Sequence, residues 1–425
     1  MKNIFLIFPI LISILLSWES SKILIPKHKS ISDFNIYTGL DILEQSNFKF
    51  VEDQNIGLVI NHTSVNRYSV HFLNLIIENE NINISKIFTP EHGLKGKLSA
   101  GEYVNSGYDA INKIDIISLY GKNKKPKPSD LADLDLIIYD IQDIGARFYT
   151  YISTMSYMLE ACANYNIPIL ILDRPNPLGG EIVRGPILEE GFESFVGLHP
   201  IPIVHGMTSG ELAIMINELK WFESDKNANL TIIPSINWQR KEEYNGPLKS
   251  WLSPSPNIPN LETAKLYTGL CLLEGTNLSE GRGTFEPFKK IGAPWIISGD
   301  EIKFKMDSIF KLGITLYPQK FTPKPIENMS KWPKYENQLC YGFNLELKDE
   351  KFDPLKYSVL LINEIKNQYS EDFKFLDSHF IDKLYGSDKL RTIITNDGNI
   401  DSLINTWNVD EQEFKKRRAK YLIYN

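Results

Sequence analysis

Cysteine is nearly absent: the 425-residue chain holds three, Cys162, Cys271 and Cys340, odd in number and far apart. They cannot build a disulfide framework, and their spacing matches no zinc pattern. Cys162 sits in a helix-like run and Cys271 in an apolar one, so both read as core residues. Also missing are a G-x-G-x-x-G fingerprint, a Walker lysine loop, a G-x-S-x-G elbow and an H-E-x-x-H pair. The first two absences remove the usual dinucleotide and nucleotide sites. The others remove the usual serine hydrolase and the commonest zinc-protease helix. No block of like charge dominates a chain whose net charge is −7, so the clustered Lys and Arg of a nucleic-acid surface are lacking. No cofactor, no nucleotide and no metal are expected.

What is present suits a folded protein, with 42% hydrophobic and 23% charged residues. The length exceeds what one core organises, so two domains are expected. Lys2 is followed by the uncharged "IFLIFPILISILLSW" and then the polar "ESSK". That is the pattern of an export signal over residues 1–20, placing the protein in the periplasm or outside the cell. No small-x-small cleavage site is clear and no lipid-accepting cysteine follows, so an uncleaved membrane anchor is the alternative.

Beyond the linker, short apolar runs alternate with helix-length segments. "IGLVIN" (56–61), "ISKIFT" (84–89), "IDIISLY" (114–120), "LDLIIYDI" (134–141) and "IPILILD" (167–173) read as buried strands. Residues 67–80 and 148–165 read as helices between them. Near-continuous Val, Ile and Leu in strands separated by helices predicts a Rossmann-like, doubly wound, mostly parallel sheet, here without a dinucleotide loop. "PIPIVH" (200–205), "NLTIIP" (229–234) and "LYTGLCLLEG" (266–275) are further strand candidates. One large α/β domain is expected over 35–295. Residues 296–425 mix helical stretches with isolated strands such as "YGFNLEL" (341–347) and "YSVLLINEIKNQY" (357–369), and read as a smaller α+β domain.

Ligands of such sheets bind at the carboxyl ends of the strands. Those ends carry Asn61-His62-Thr63-Ser64, Glu91-His92-Gly93, Tyr120-Gly121, "YDIQDIGARFYTY" (139–151) and "DRPNPLGG" (173–180), with His205, "SPSPNIPN" (253–260) and "EGTNLSEGRGTFEPF" (274–288) later. Each has an ordinary explanation: an Asp can cap the next helix, Arg147 can pair with Asp143 one turn earlier, and Pro175-Asn176-Pro177 can be a rigid turn. Their joint occurrence points to a ligand site. Glu91, Asp140, Asp143, Glu274, Glu280 and Glu286 are candidates for paired-carboxylate chemistry, as in glycoside hydrolysis. His92, Asp140 and His205 could be imagined as metal ligands, but no local motif supports them.

Taken together, "TPEHGLKG", "YDIQDIGARFYTYISTM", "LDRPNPLGG", "VHGMTSGELA", "WLSPSPNIPN" and "LLEGTNLSEGRGTFEPF" resemble the bacterial exo-β-N-acetylmuramidase family, first known as a domain of unknown function. The resemblance runs from about residue 55 to the ending "FKKRRAKYLIY". It implies a glycoside hydrolase that removes N-acetylmuramic acid from the non-reducing end of peptidoglycan fragments in wall recycling, with its site between a Rossmann-like and an auxiliary domain. It implies Glu91 as the principal catalytic carboxylate, with Glu274 and Glu280 as second-carboxylate candidates. Asn61, His92, Asp140, Gln142, Asp143, Arg147, Tyr149, Asn176, His205, Asn257, Asn277 and Arg282 match other motif positions and are expected to bind or support substrate. Arg147 or Arg282 would suit the lactyl carboxylate of muramic acid. Alternatives from other classes are a muropeptide-binding protein without turnover and a metal-dependent esterase or deacetylase of wall sugars.

Overall fold

The computed structural model describes residues 12–17, 21–26, 35–99, 101–309, 313–349 and 352–425. Of the expected export segment, only Ile12–Ser17 falls among them; the rest of residues 1–20 lies outside the described residues. In chain order the strands are β1 (Ile12–Ser17), β2 (Ser21–Pro26), β3 (Asn55–Ile60), β4 (Asn83–Thr89), β5 (Gly107–Asp109), β6 (Ile114–Ser118) and β7 (Leu136–Asp140). They continue with β8 (Ile169–Leu172), β9 (Arg184–Ile187), β10 (Pro202–Val204), β11 (Leu230–Ile233), β12 (Lys290–Ala293), β13 (Ile314–Phe321) and β14 (Cys340–Leu347).

One nine-stranded sheet runs in the order β1-β2-β11-β8-β7-β3-β4-β6-β5. Every pair from β2 to β6 is parallel, and antiparallel strands occur only at the two edges. This is the doubly wound architecture expected from the sequence. The Val/Ile/Leu strands fit because both faces are covered: β7 and β8 are buried along their whole length. Two separate cores result, one on each face of the sheet, and the larger continues into the second domain. From β3 the chain winds outward to β4 and β6, then crosses back to β7, which aligns the ends of β4, β6 and β7 along one edge.

Two strand expectations fail, and a third strand forms elsewhere than in the large sheet. Residues 266–275 form the end of helix Leu261–Leu270 and a 3-10 turn, Cys271–Gly275. The Asn260 side chain caps that helix by accepting from the Thr263 N–H at 2.8 Å. It is buried on nearly all sides, so it has no polar stripe to reveal its period. Residues 357–369 likewise belong to a helix, Pro354–Gln368, started by Asp353. The two helices pack together at Gly269, where an added Cβ would lie 2.0 Å from the Pro354 carbonyl oxygen. β10 forms, but it pairs antiparallel with β9 in its own ribbon, outside the large sheet.

The second domain is built on an antiparallel sheet, β12-β14-β13, so residues 290–293 already belong to it. The long helix Ile400–Arg418 returns the chain to the first domain. There Asp410 and Glu411 accept the Ile187 and Gly185 N–H groups, and Arg418 donates to the His205 and Gly206 carbonyls. The tail then docks: Ile423 N–H donates to Glu211 at 2.8 Å and Tyr424 O–H to Asp173 at 2.6 Å. The cysteines Cys162, Cys271 and Cys340 are free and buried, the first two as read from the sequence.

Candidate active site

A cleft of about 620 Å3 lies between the two domains, over the ends of β4 and β6. Glu91 follows β4 directly and is 8% exposed. Its neighbour His92 and then Gly93 take left-handed backbone conformations (φ +70° and +68°), which turn the chain sharply away from the sheet. One carboxylate oxygen of Glu91 accepts the Gly101 N–H at 3.0 Å and the other the Thr150 hydroxyl at 2.7 Å. The Tyr120 phenol, at the end of the β6 segment, donates to it as well.

Burial raises the Glu91 pKa, but His92 and these donors outweigh it and leave the group below the ordinary carboxylate value. His92 is itself pushed down by burial, and its Nδ1–H donates to the Leu98 carbonyl at 2.7 Å. The Gly101 amide and the Thr150 and Tyr120 hydroxyls thus join His92 in holding Glu91 ionised. Burial, with Glu91 beside it, raises the Tyr120 pKa, so that phenol keeps its proton.

The opposite wall comes from the segment 274–288 and the second domain. Arg282 donates to Oε1 of Glu274 through Nη2 at 2.6 Å and Nε at 3.2 Å, and lies 3.6 Å from Glu280. Lys334 reaches Glu280 at 3.0 Å while donating to the Leu273 and Leu278 carbonyls. Burial lowers the Arg282 pKa, but the two carboxylates more than reverse this, so the guanidinium stays charged. Phe148, Tyr149, Tyr267 and Phe288 pack edge-to-face beneath, with ring centroids 4.8–6.3 Å apart. Asn257 donates to the Met329 carbonyl at 2.7 Å, which fixes its amide and leaves a buried Oδ1 without a hydrogen bond.

Of the sequence candidates, the cleft brings together Glu91, Glu274, Glu280, His92, Tyr149, Asn257 and Arg282. Glu286 pairs with Lys290 at the surface. Eight others are not on the cleft wall, and their polar groups serve the fold. Asp140 forms a fully buried pair with Arg174 at 2.5 and 2.7 Å. Asn61 closes a turn by accepting from Thr63, and Asn176 another by accepting the Leu178 N–H. Gln142 donates to the Asp143 and Pro175 carbonyls, and Asn277 ties to Asp372 and Lys374. Arg147 does not pair with Asp143 and does not reach the cleft; it donates to four carbonyls instead, those of Pro186, Ile201, Leu384 and Tyr385. His205 accepts the Met207 N–H on Nδ1, and burial pushes its pKa down to about 3.

Asp143 has the most consequential environment of these eight. Its Oδ2 accepts the Gly145 N–H at 2.7 Å and lies 4.0 Å from the neutral His205. Burial pushes its pKa up to about 7. The folded protein therefore holds a proton that the unfolded chain releases near the ordinary value of 3.8. Where the native state binds more protons, stability falls as pH rises. Urea melts between pH 4 and pH 7 are expected to show that decline, and Asp143→Asn to flatten it; an unchanged slope would exclude Asp143 as its source.

Several cleft residues went unnoticed as site residues in the sequence. Tyr120 follows β6 and Thr150 precedes helix Tyr151–Tyr165, but both are common residue types. Lys331, Trp332 and Lys334 come from the loop between β13 and β14, which carries none of the sequence motifs. Among the described residues no group of three or more His, Cys, Asp or Glu side chains is placed to hold a metal ion.

Comparison with known proteins identifies the relatives of this arrangement. Residues 56–262 match the family model for the N-terminal domain of exo-β-N-acetylmuramidase NamZ, and residues 265–424 match that for its C-terminal domain. The chain is 40% identical over 399 residues to the peptidoglycan β-N-acetylmuramidase NamZ of Bacillus subtilis (strain 168), covering 94% of each. Two crystal structures of DUF1343 family proteins from Bacteroides fragilis NCTC 9343 share the fold. One has a TM-score of 0.83 at 29% identity, with 92% of this chain and 100% of that one covered. The other has a TM-score of 0.75 at 36% identity, covering 92% and 99%.

Proposed function

The chain belongs to the exo-β-N-acetylmuramidase family, and from that premise we propose that it removes N-acetylmuramic acid from the non-reducing end of peptidoglycan fragments, with Glu91 as its central carboxylate. The observation that carries the assignment to Glu91 is its environment. It is a buried, ionised carboxylate at a strand end, held by three neutral donors and facing the largest cleft described.

An ionised Glu91 acts as base, as nucleophile, or as electrostatic partner of the oxocarbenium-like transition state. Proton donation to the leaving oxygen then falls to the opposite wall. Glu274 fits that role better than Glu280, because Arg282 engages only its Oε1, whereas Glu280 is enclosed between Arg282 and Lys334. The Asn257 Oδ1 supplies an acceptor for a sugar hydroxyl or amide, and the aromatic floor supplies apolar contact for the ring.

The functional test is incubation with a muramic-acid-terminated disaccharide. Release of both monosaccharides supports glycosidic hydrolysis, and tight binding with the disaccharide intact supports a binding protein instead. We further assign an exported location, in wall recycling, from Lys2 and the apolar run behind it. Among the described residues no helix is long and apolar enough to cross a membrane. Mass spectrometry of the mature N-terminus decides: retention of Met1 in a cytosolic fraction would overturn export.

A further inference from the structure

Among the described residues, the charges lining the cleft are paired, with two exceptions. Arg282 is shared by Glu274 and Glu280, Lys334 holds Glu280, and Lys331 reaches across the mouth to Glu102 at 3.4 Å. Glu91 is held by neutral groups. Lys124 is the other exception: its ammonium sits 4.6 Å from the Phe195 ring centroid, and no carboxylate among the described residues pairs with it. Its neighbour Lys125, by contrast, is tied to Glu160 at 2.6 Å.

The two uncompensated charges stand on one wall. Tyr120 donates to Glu91, its ring lies 5.8 Å from that of Phe195, and Phe195 carries Lys124 on its face. An anionic group on the sugar bound at Glu91 therefore finds a free ammonium along the same wall. Arg282, by contrast, already has its charge matched by two carboxylates of its own chain.

Resting on the muramidase reading, we propose that Lys124 recognises the lactyl carboxylate of the terminal muramic acid and so sets the preference for muramic acid over uncharged amino sugars. A charge-assisted hydrogen bond in a half-buried cleft accounts for such selectivity, and the aromatic support beneath the ammonium restricts its motion. The role read from the sequence for Arg147 or Arg282 passes to Lys124.

The test compares N-acetylmuramic acid with its methyl ester, which has nearly the same shape and no charge, by calorimetry at low salt. The native protein should bind the acid roughly ten- to a hundred-fold more tightly than the ester, the range of a hydrogen bond to a charged group. Lys124→Met should bind both with the affinity of the ester, Lys124→Arg should restore the preference, and added salt should erode it only where the cation is present. A Lys124→Met protein that keeps the full preference overturns the proposal, as does a native protein without one. Binding of neither compound together with no turnover of the disaccharide would instead overturn the muramidase reading itself.

Discussion

Glu91→Gln protein should turn over a muramide about 10²–10⁴-fold more slowly than wild type, because general acid–base assistance contributes on that order. The substitution keeps the side-chain volume, and the amide oxygen can still accept from Gly101 or Thr150, so the folded state should persist. The loss should therefore appear in kcat, with binding of the terminal sugar largely retained. The same site fixes the acid side of the pH profile. Because the donors hold Glu91 below its ordinary value of 4.5, a role that needs the carboxylate survives until pH falls below that value. An activity that instead requires Glu91 protonated would already be lost at neutral pH. A near-wild-type rate for Glu91→Gln would remove the residue from the chemistry.

Arg147→Met should destabilise the protein by about 3–5 kcal/mol, measured by denaturant unfolding, while KM for the folded fraction stays unchanged. The Arg147 guanidinium is buried, its pKa pushed down to about 9 by that burial, and it has no carboxylate partner. Four carbonyl oxygens from three segments converge on it, so one side chain ties β9 and the segment before β10 to helix Phe380–Tyr385. Gly386 at the end of that helix belongs to the same arrangement: it has φ +91°, and a Cβ there would lie 2.7 Å from Nη2. Methionine fills the volume but leaves the carbonyls without donors. Reduced affinity for substrate with unchanged stability would restore the binding role read from the sequence.

Arg147 also shows what the sequence could and could not reveal. The parallel sheet was legible because strands buried on both faces need unbroken apolar runs, and β3, β4, β6, β7 and β8 all appeared as such. Helices Leu261–Leu270 and Pro354–Gln368 were not, because burial around the first and the unbroken apolar run Val359–Ile362 in the second hid their period. At the site, the family resemblance singled out Glu91 among the strand-end carboxylates, and its place after β4 sets it on the cleft. Asp140, Asn61 and His205 end strands equally well, yet the segment 253–260 covers the middle of the sheet edge. His62 and Tyr151 bond to the Ser253 and Pro254 carbonyls there. Polar groups under that cover pair with one another. Strand-end position alone does not separate a catalytic carboxylate from a buried structural one; the path of the covering segment does. Lys124 lay beyond reach for a related reason, since its unpaired state depends on which lysine the helix Tyr151–Tyr165 claims through Glu160.

The most direct test is a time course, followed by mass spectrometry, on a glycan of alternating residues whose non-reducing end is N-acetylmuramic acid. The account predicts that one N-acetylmuramic acid leaves that end, that the remaining chain is left with an N-acetylglucosamine terminus, and that cleavage then stops. Internal fragments, loss of the opposite end, or an unchanged chain would contradict it.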